Sequence, residues 1–207
     1  SSGSDVVSFF GFDVVNSVLY SYSLSFSFLI LAPLLPLLSG TADYLGNKKL
    51  FMKVFVYTGG LTCMGLFFFD SSNLEWGIIC SILASVGYAG SLVFYDAFLP
   101  EIATPENYDR TSAKGYSMGY YGSVILLILN LVIIQFWEPL QFPSEGTAVR
   151  FTFLLVGLWW IGFAQITFYG LPEKPNNAKA SGKILLNGYR ELRKVWNSLS
   201  YYPNLKK

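Results

Sequence analysis

The chain has 207 residues, with 14 Lys and Arg against 13 Asp and Glu, a formal net charge of +1 and no His. Hydrophobic residues make up 53% and charged residues only 13%, against roughly 25% charge in a soluble domain, so a water-covered globular fold is excluded. The balance gives no basis for a nucleic-acid partner. The absence of His removes imidazole metal sites and general bases, and Cys63 and Cys80 lie in apolar stretches without the spacing of a zinc site or a disulfide framework.

Taken from the N-terminus, residues 1–16 have no basic segment ahead of an apolar one and do not read as a signal peptide. With Ser rather than Met at position 1, the chain is expected to be cut from something longer. Crossing about 30 Å of hydrocarbon takes about 20 apolar residues in a helix. Charge-free windows of about that length run from Asp13 to Asp43, Lys53 to Asp70, Glu75 to Asp96, Lys114 to Glu138 and Arg150 to Glu173. They predict five spans at about 17–38, 51–69, 76–98, 115–137 and 151–171. Uninterrupted apolar runs of this length do not alternate as strands do. Trp76, Trp137 and Tyr169 sit at window ends, where amphipathic rings favour the headgroup zone, and Pro100 and Pro172 close two helices.

All basic residues except Arg150 fall in the loops after the first and third spans and in the segment after the fifth. The positive-inside rule therefore places those segments in the cytoplasm and the N-terminus outside. An odd span count with an exported N-terminus predicts a missing first helix. Beyond Glu173 the composition turns polar. Leu185, Tyr189, Leu192, Trp196 and Leu199 then recur at steps of 3 and 4 opposite Arg190, Arg193 and Lys194. Residues 173–207 are thus expected to be a cytoplasmic linker carrying an amphipathic helix at about 183–200, lying on the membrane or as a solvated connector.

Two polar segments carry specific patterns. Ser39–Lys49 places Asp43 at a helix end, Gly46 where a tight turn is needed, and Lys48 and Lys49 after it. It resembles the signature loop between the second and third helices of the major facilitator superfamily, G-x-x-x-D-R/K-x-G-R/K-R/K, with Ser39, Tyr44 and Asn47 as departures. The segment from Tyr95 to Gly115, YDAFLPEIATPENYDRTSAKG, is similar to the loop between helices four and five in the superfamily branch of autophagy-related vacuolar amino-acid effluxers and their bacterial relatives. Asp96 stands there where Asn is common.

The resemblance covers the whole chain in span order. It implies an all-α membrane protein: helices two to six of a major-facilitator N-terminal six-helix half (residues 1–172), with the inter-half linker after it. The implied function is secondary transport of small solutes, possibly amino acids, by alternating access in a bacterial inner membrane. Asp43, Gly46, Lys48, Lys49, Asp96, Glu101, Asp109, Arg110 and Lys114 would form an inner-gate charge network. Partners would be the bilayer, the solute, the missing first helix and a C-terminal half, with no cofactor or metal.

Tyr88, Asn130 and Gln165 are candidates for the solute cavity, since a polar group inside an apolar span needs a partner or a ligand. Gly115, Gly119 and Ser123 on the fourth predicted span, and Ser81, Ser85 and Ala89 on the third, repeat every four residues and suit close helix packing. With no Walker loop, His or clustered intramembrane acid, neither ATP-driven transport nor a membrane enzyme is expected. A non-transporting scaffold or receptor is the alternative.

Overall fold

The computed structural model describes residues 6–9, 11–70 and 72–172, within which the side chains of Phe12, Asp43, Tyr44 and Leu45 are not described. The expected linker and amphipathic helix at 183–200 lie outside the described residues. The element order is a hairpin of β1 (Val6–Phe9) and β2 (Phe12–Val15), then α1 (Asn16–Leu45), α2 (Lys48–Gly65), α3 (Leu74–Asp96), the short α4 (Leu99–Ile102), α5 (Tyr108–Gln135) and α6 (Glu145–Gly170). Five of the helices are long and apolar enough to cross a membrane. The chain is an integral membrane protein by that measure.

The hairpin was not anticipated. Its strands pair antiparallel with Val6 opposite Val15 and Phe9 opposite Phe12. Gly11 supplies the positive φ of 82° that its tight turn requires.

The helices run past the apolar windows at their polar ends, because polar residues with good caps extend a helix as readily as apolar ones. α1 carries Pro33 and Pro36 in its interior, which remove two N–H donors but are tolerated in membrane helices. It continues to Leu45 and stops where Gly46 takes φ 64°. The Asn47 N–H closes that end on the Ala42 carbonyl at 3.2 Å, in the six-to-one pattern of a Schellman cap. The same Asn47 opens α2: its side-chain oxygen accepts from the Leu50 N–H at 3.1 Å. Two residues thus end one helix and start the next. α6 starts six residues before its window's predicted start because Ser144 caps it by accepting from the Thr147 N–H. α5 starts at Tyr108 with Asp109 in its first turn, where a carboxylate favours the helix dipole.

α2 is the centre of the bundle, packed on α3 and α6, with α1 laid on α3 and α5 resting on α6. Phe51 and Phe55 of α2 stack on Phe94 of α3 at 5.6 and 5.8 Å between ring centroids. Leu31, Met52, Val56, Val86, Phe98 and Phe168 complete the main core. At the middle of α2 the approach is at backbone level. A Cβ on Gly87 of α3 would overlap the Gly59 backbone, and a Cβ on Gly157 of α6 would lie 2.5 Å from the Gly60 carbonyl oxygen. Of the small residues expected to mediate packing on α5, Gly119 has open space around it, Ser123 is exposed, and Gly115 abuts the Tyr95 hydroxyl. No residue of α5 is buried.

Two identical substitutions separate these environments. Gly87→Ala should destabilise the protein by about 1–3 kcal/mol through overpacking, whereas Gly119→Ala should be neutral or stabilise it by up to about 1 kcal/mol, since Ala is the better helix former. Unfolding in mixed detergent micelles, followed by circular dichroism, reads both.

Candidate functional site

Two places bring polar groups together, one at each end of the bundle. The first is built on the α1–α2 turn. Because Asn47 is both cap and turn residue, Lys48 and Lys49 emerge in the first turn of α2 in opposed directions. The Lys48 ammonium donates to Glu101 Oε1 at 3.2 Å and reaches the Ala97 carbonyl at 3.5 Å. Both side chains of this pair are about three-quarters buried. The Lys49 ammonium donates to the Leu171 carbonyl at 3.1 Å, at the end of α6, and Lys49 itself is 9% exposed. An ammonium at a helix C-terminus meets carbonyls that no helical N–H satisfies. Lys53 adds a cation–π contact over Phe168 at 5.6 Å. One loop is therefore fastened to the ends of α3 and α6 at once.

The other expected members of the charge network lie elsewhere. The side chain of Asp43 lies outside the described residues. Asp96 is exposed and lies against the Tyr116 hydroxyl of α5, with Tyr95 and Tyr88 nearby. Asp109, Arg110 and Lys114 are exposed in the first two turns of α5 and form no ion pair among the described residues. Gly46 serves the turn, as its φ shows.

The three cavity candidates also separate. Gln165 accepts from the Tyr57 hydroxyl at 3.1 Å and donates to the Ile161 carbonyl, tying α6 to α2. Tyr88 packs edge-on against Trp160 and is 61% exposed. The Asn130 Oδ1 is buried without a hydrogen-bond partner among the described residues. None of the three lines the cavity described next.

The second place is a cavity of about 910 Å³ at the end opposite the lysine loop, between the first half of α1, the start of α3, the start of α6 and the α2–α3 connection. Leu24, Phe69, Ile78, Val149 and Phe153 supply apolar walls. Ser23, Ser81 and Ser85 supply hydroxyls, and Asp70 and Arg150 are the charged residues that line it. Ser21, Ser23, Ser25 and Ser27 each donate to the carbonyl four residues earlier, at 2.7–2.9 Å, which is how hydroxyls persist on an apolar helix. The sequence signal for this place was available: serine at every second position from 21 to 27, and Arg150 as the lone basic residue of its face.

Asp70 is held by its own turn. The Ser72 hydroxyl and N–H donate to its carboxylate at 2.6 and 2.8 Å. Those bonds, with the positive charge of Arg150 nearby, hold its carboxyl below the ordinary value of 3.8. A depressed folded value means that the turn's contribution is intact above pH 3.8 and is lost as pH falls through the lower folded value. The Asp70 carboxyl should accordingly titrate below 3.8 by carbon-detected NMR, and Ser72→Ala should move its midpoint up more than Arg150→Gln does. At the other end, a double-mutant cycle of Lys48→Met and Glu101→Gln should give a coupling of about 1 kcal/mol, the upper range for pairs that keep some exposure.

Comparison with known proteins covers the whole chain. A family model described as "Vacuole effluxer Atg22 like" matches residues 1–207. An uncharacterised MFS-type transporter of Bacillus subtilis, YxiO, is 29% identical over 197 residues, covering 94% of this chain and 46% of the relative. Autophagy-related protein 22-2 of Neosartorya fischeri is 24% identical, covering 86% of this chain and 39% of the relative. The same protein of Aspergillus fumigatus is 26% identical over similar shares. The chain thus spans less than half the length of these relatives. No solved structure matches it. With the family match running from the first residue to the last, the chain belongs to the Atg22-like vacuole effluxer family.

Proposed function

We propose that this chain is helices two to six of a secondary active transporter that moves small solutes, amino acids among them, across a membrane by alternating access. The observation that carries the reading is the fastening of the α1–α2 loop to the ends of α3 and α6 through Lys48 and Lys49. These contacts lie at one end of the bundle and involve groups that can exchange partners, so they brace that end of this half and can be traded as the end opens against a second half. Family membership supports transport, since its relatives carry the names of effluxers and MFS-type transporters.

In this reading the basic end is cytoplasmic and acts as the inner gate. Asp43, Glu101, Lys48 and Lys49 hold it closed, and Asp96, Asp109, Arg110 and Lys114 offer alternative partners as it opens. Tyr88 and Asn130 remain candidates for the solute path, with Gln165 a helix tie. The polar segment after Glu173 would join this half to a second half, and the hydrocarbon-facing surface is the bilayer's. Alternating access of two halves around a midplane site suits such a bundle.

The test is solute flux into proteoliposomes by the full-length protein. A concentrative, gradient-dependent flux is expected, and a properly inserted protein with none would indicate a scaffold or receptor instead. Asp43→Asn and Arg110→Gln should each lower the flux about tenfold or more, the cost of one lost charge-assisted hydrogen bond, while leaving insertion intact. Unchanged flux in both would remove the gate assignment.

A further inference from the structure

The three lysines at the start of α2 differ in what their ammonium groups meet. Lys48 and Lys49 both reach oxygen acceptors. The Lys53 ammonium stands over the Phe168 ring, 5.6 Å from its centroid, and makes no hydrogen bond or ion pair among the described residues. A ring face attracts the charge, but an ammonium carries three donors, and here none of them meets an oxygen.

Lys53 lies within the membrane-crossing part of α2. It is four residues beyond Lys49, about 6 Å further along the axis at 1.5 Å per residue. Lys49 reaches the end of α6, so the Lys53 backbone sits about one turn inside that level. A charge at such a depth is costly without a partner. Helical side chains lean toward the helix N-terminus, and the N-terminus of α2 is at the basic end. The four-carbon stem therefore carries the ammonium back toward the surface, where phospholipid phosphates lie.

The surroundings form a groove between α2 and α6. The Tyr57 hydroxyl of α2 closes its floor by donating to Gln165 of α6 at 3.1 Å, and the Tyr57 ring packs on Phe168 with centroids 6.1 Å apart. Beside it α2 presents Leu50, Val54 and Leu61, each more than half exposed. Steps of four and seven keep these on one helix face, and in a membrane-crossing helix such an apolar face meets acyl chains. A lone cation thus stands above an apolar track, which is the layout of a phospholipid read from headgroup to tail.

The charge of this end selects among phospholipids. Every basic residue but Arg150 falls in segments expected on this side, and a positive surface attracts anionic headgroups. A choline headgroup brings its own positive charge to the same place and forfeits part of that attraction.

We propose that the groove between α2 and α6 at the basic end binds one anionic phospholipid. Its phosphodiester oxygens accept from the Lys53 ammonium, and an acyl chain lies along Val54 and Leu61. The bound lipid bridges α2 and α6 one turn inside the Lys49 contact. The site needs the chain to cross a membrane and does not depend on what the protein carries.

The test uses the full-length protein, delipidated in detergent and titrated with phosphatidylglycerol or phosphatidylcholine of the same acyl chains under native mass spectrometry. The first phosphatidylglycerol should bind about tenfold or more tightly than the first phosphatidylcholine, the effect of one charge-assisted hydrogen bond. Lys53→Gln should remove most of that preference and Lys53→Arg should keep it. Arg150→Gln, which removes the same charge from the opposite end, should leave it unchanged. Water-soluble glycerophosphoglycerol at the same concentration should not displace the lipid, because it lacks the acyl contact. A photoreactive phosphatidylglycerol in nanodiscs locates the site on the unmutated protein, so the outcome does not hang on how any variant folds. It should cross-link to the peptides of α2 and α6 that contain Lys53 and Phe168.

Equal affinity for the two lipids, a preference that survives Lys53→Gln, an equal loss in Arg150→Gln, or cross-links confined to other helices would each overturn the site. Displacement by the soluble headgroup would overturn the lipid assignment in favour of a free phosphate compound.

Discussion

The bundle depends on how closely three backbones meet at the middle of α2. Gly59 faces Gly87 of α3 and the Trp160 ring of α6, while Gly60 faces Ile161 and Gly157 of α6. In lipid, apolar side chains gain little by leaving the hydrocarbon for each other, so helix association relies on close packing. Adjacent glycines on one helix allow two neighbours to approach at once. The aromatic stack of Phe51, Phe55 and Phe94 fills the space toward the basic end, where α2 and α3 run side by side beyond that contact.

That crossing sets the positions of both ends. On the basic side the helices are held close and the core is dense. Lys48 and Lys49 there find partners on α3–α4 and α6 within hydrogen-bonding distance. On the other side α1, α3 and α6 diverge around the cavity, whose walls include the unbranched serines of α1. One end is packed and charge-fastened, and the other is open and sparsely charged.

α5 stands apart from this scheme. It contacts mainly α6, none of its residues is buried, and Tyr116, Tyr120 and Tyr121 are each exposed. Its one polar anomaly is the Asn130 carbonyl oxygen, buried without a partner among the described residues. An amide in that state costs free energy until something donates to it.

The sequence by itself determined the number of spans, the end that collects the basic residues, and the loop chemistry of Asp43–Lys49 and Tyr95–Gly115. These follow from local rules: lipid demands long apolar runs, headgroups attract charge, and a glycine is needed where a helix turns left-handed. Gly46 and the glycine-to-lysine spacing were legible for that reason. Helix ends were less so, because Asn47 and Ser144 extend helices by capping, which hydropathy does not register. Only the tertiary structure decided which small residues carry the packing. Gly59, Gly60, Gly87 and Gly157 repeat no more conspicuously than Gly115, Gly119 and Ser123, and what distinguishes them is which helix lies opposite. It also decided that Lys48 pairs with Glu101 across more than fifty positions, and that Ser23, Ser81, Ser85 and Arg150 surround one cavity. Such groupings depend on the relative rotation of helices, and no single helix's sequence encodes the face its neighbour will present.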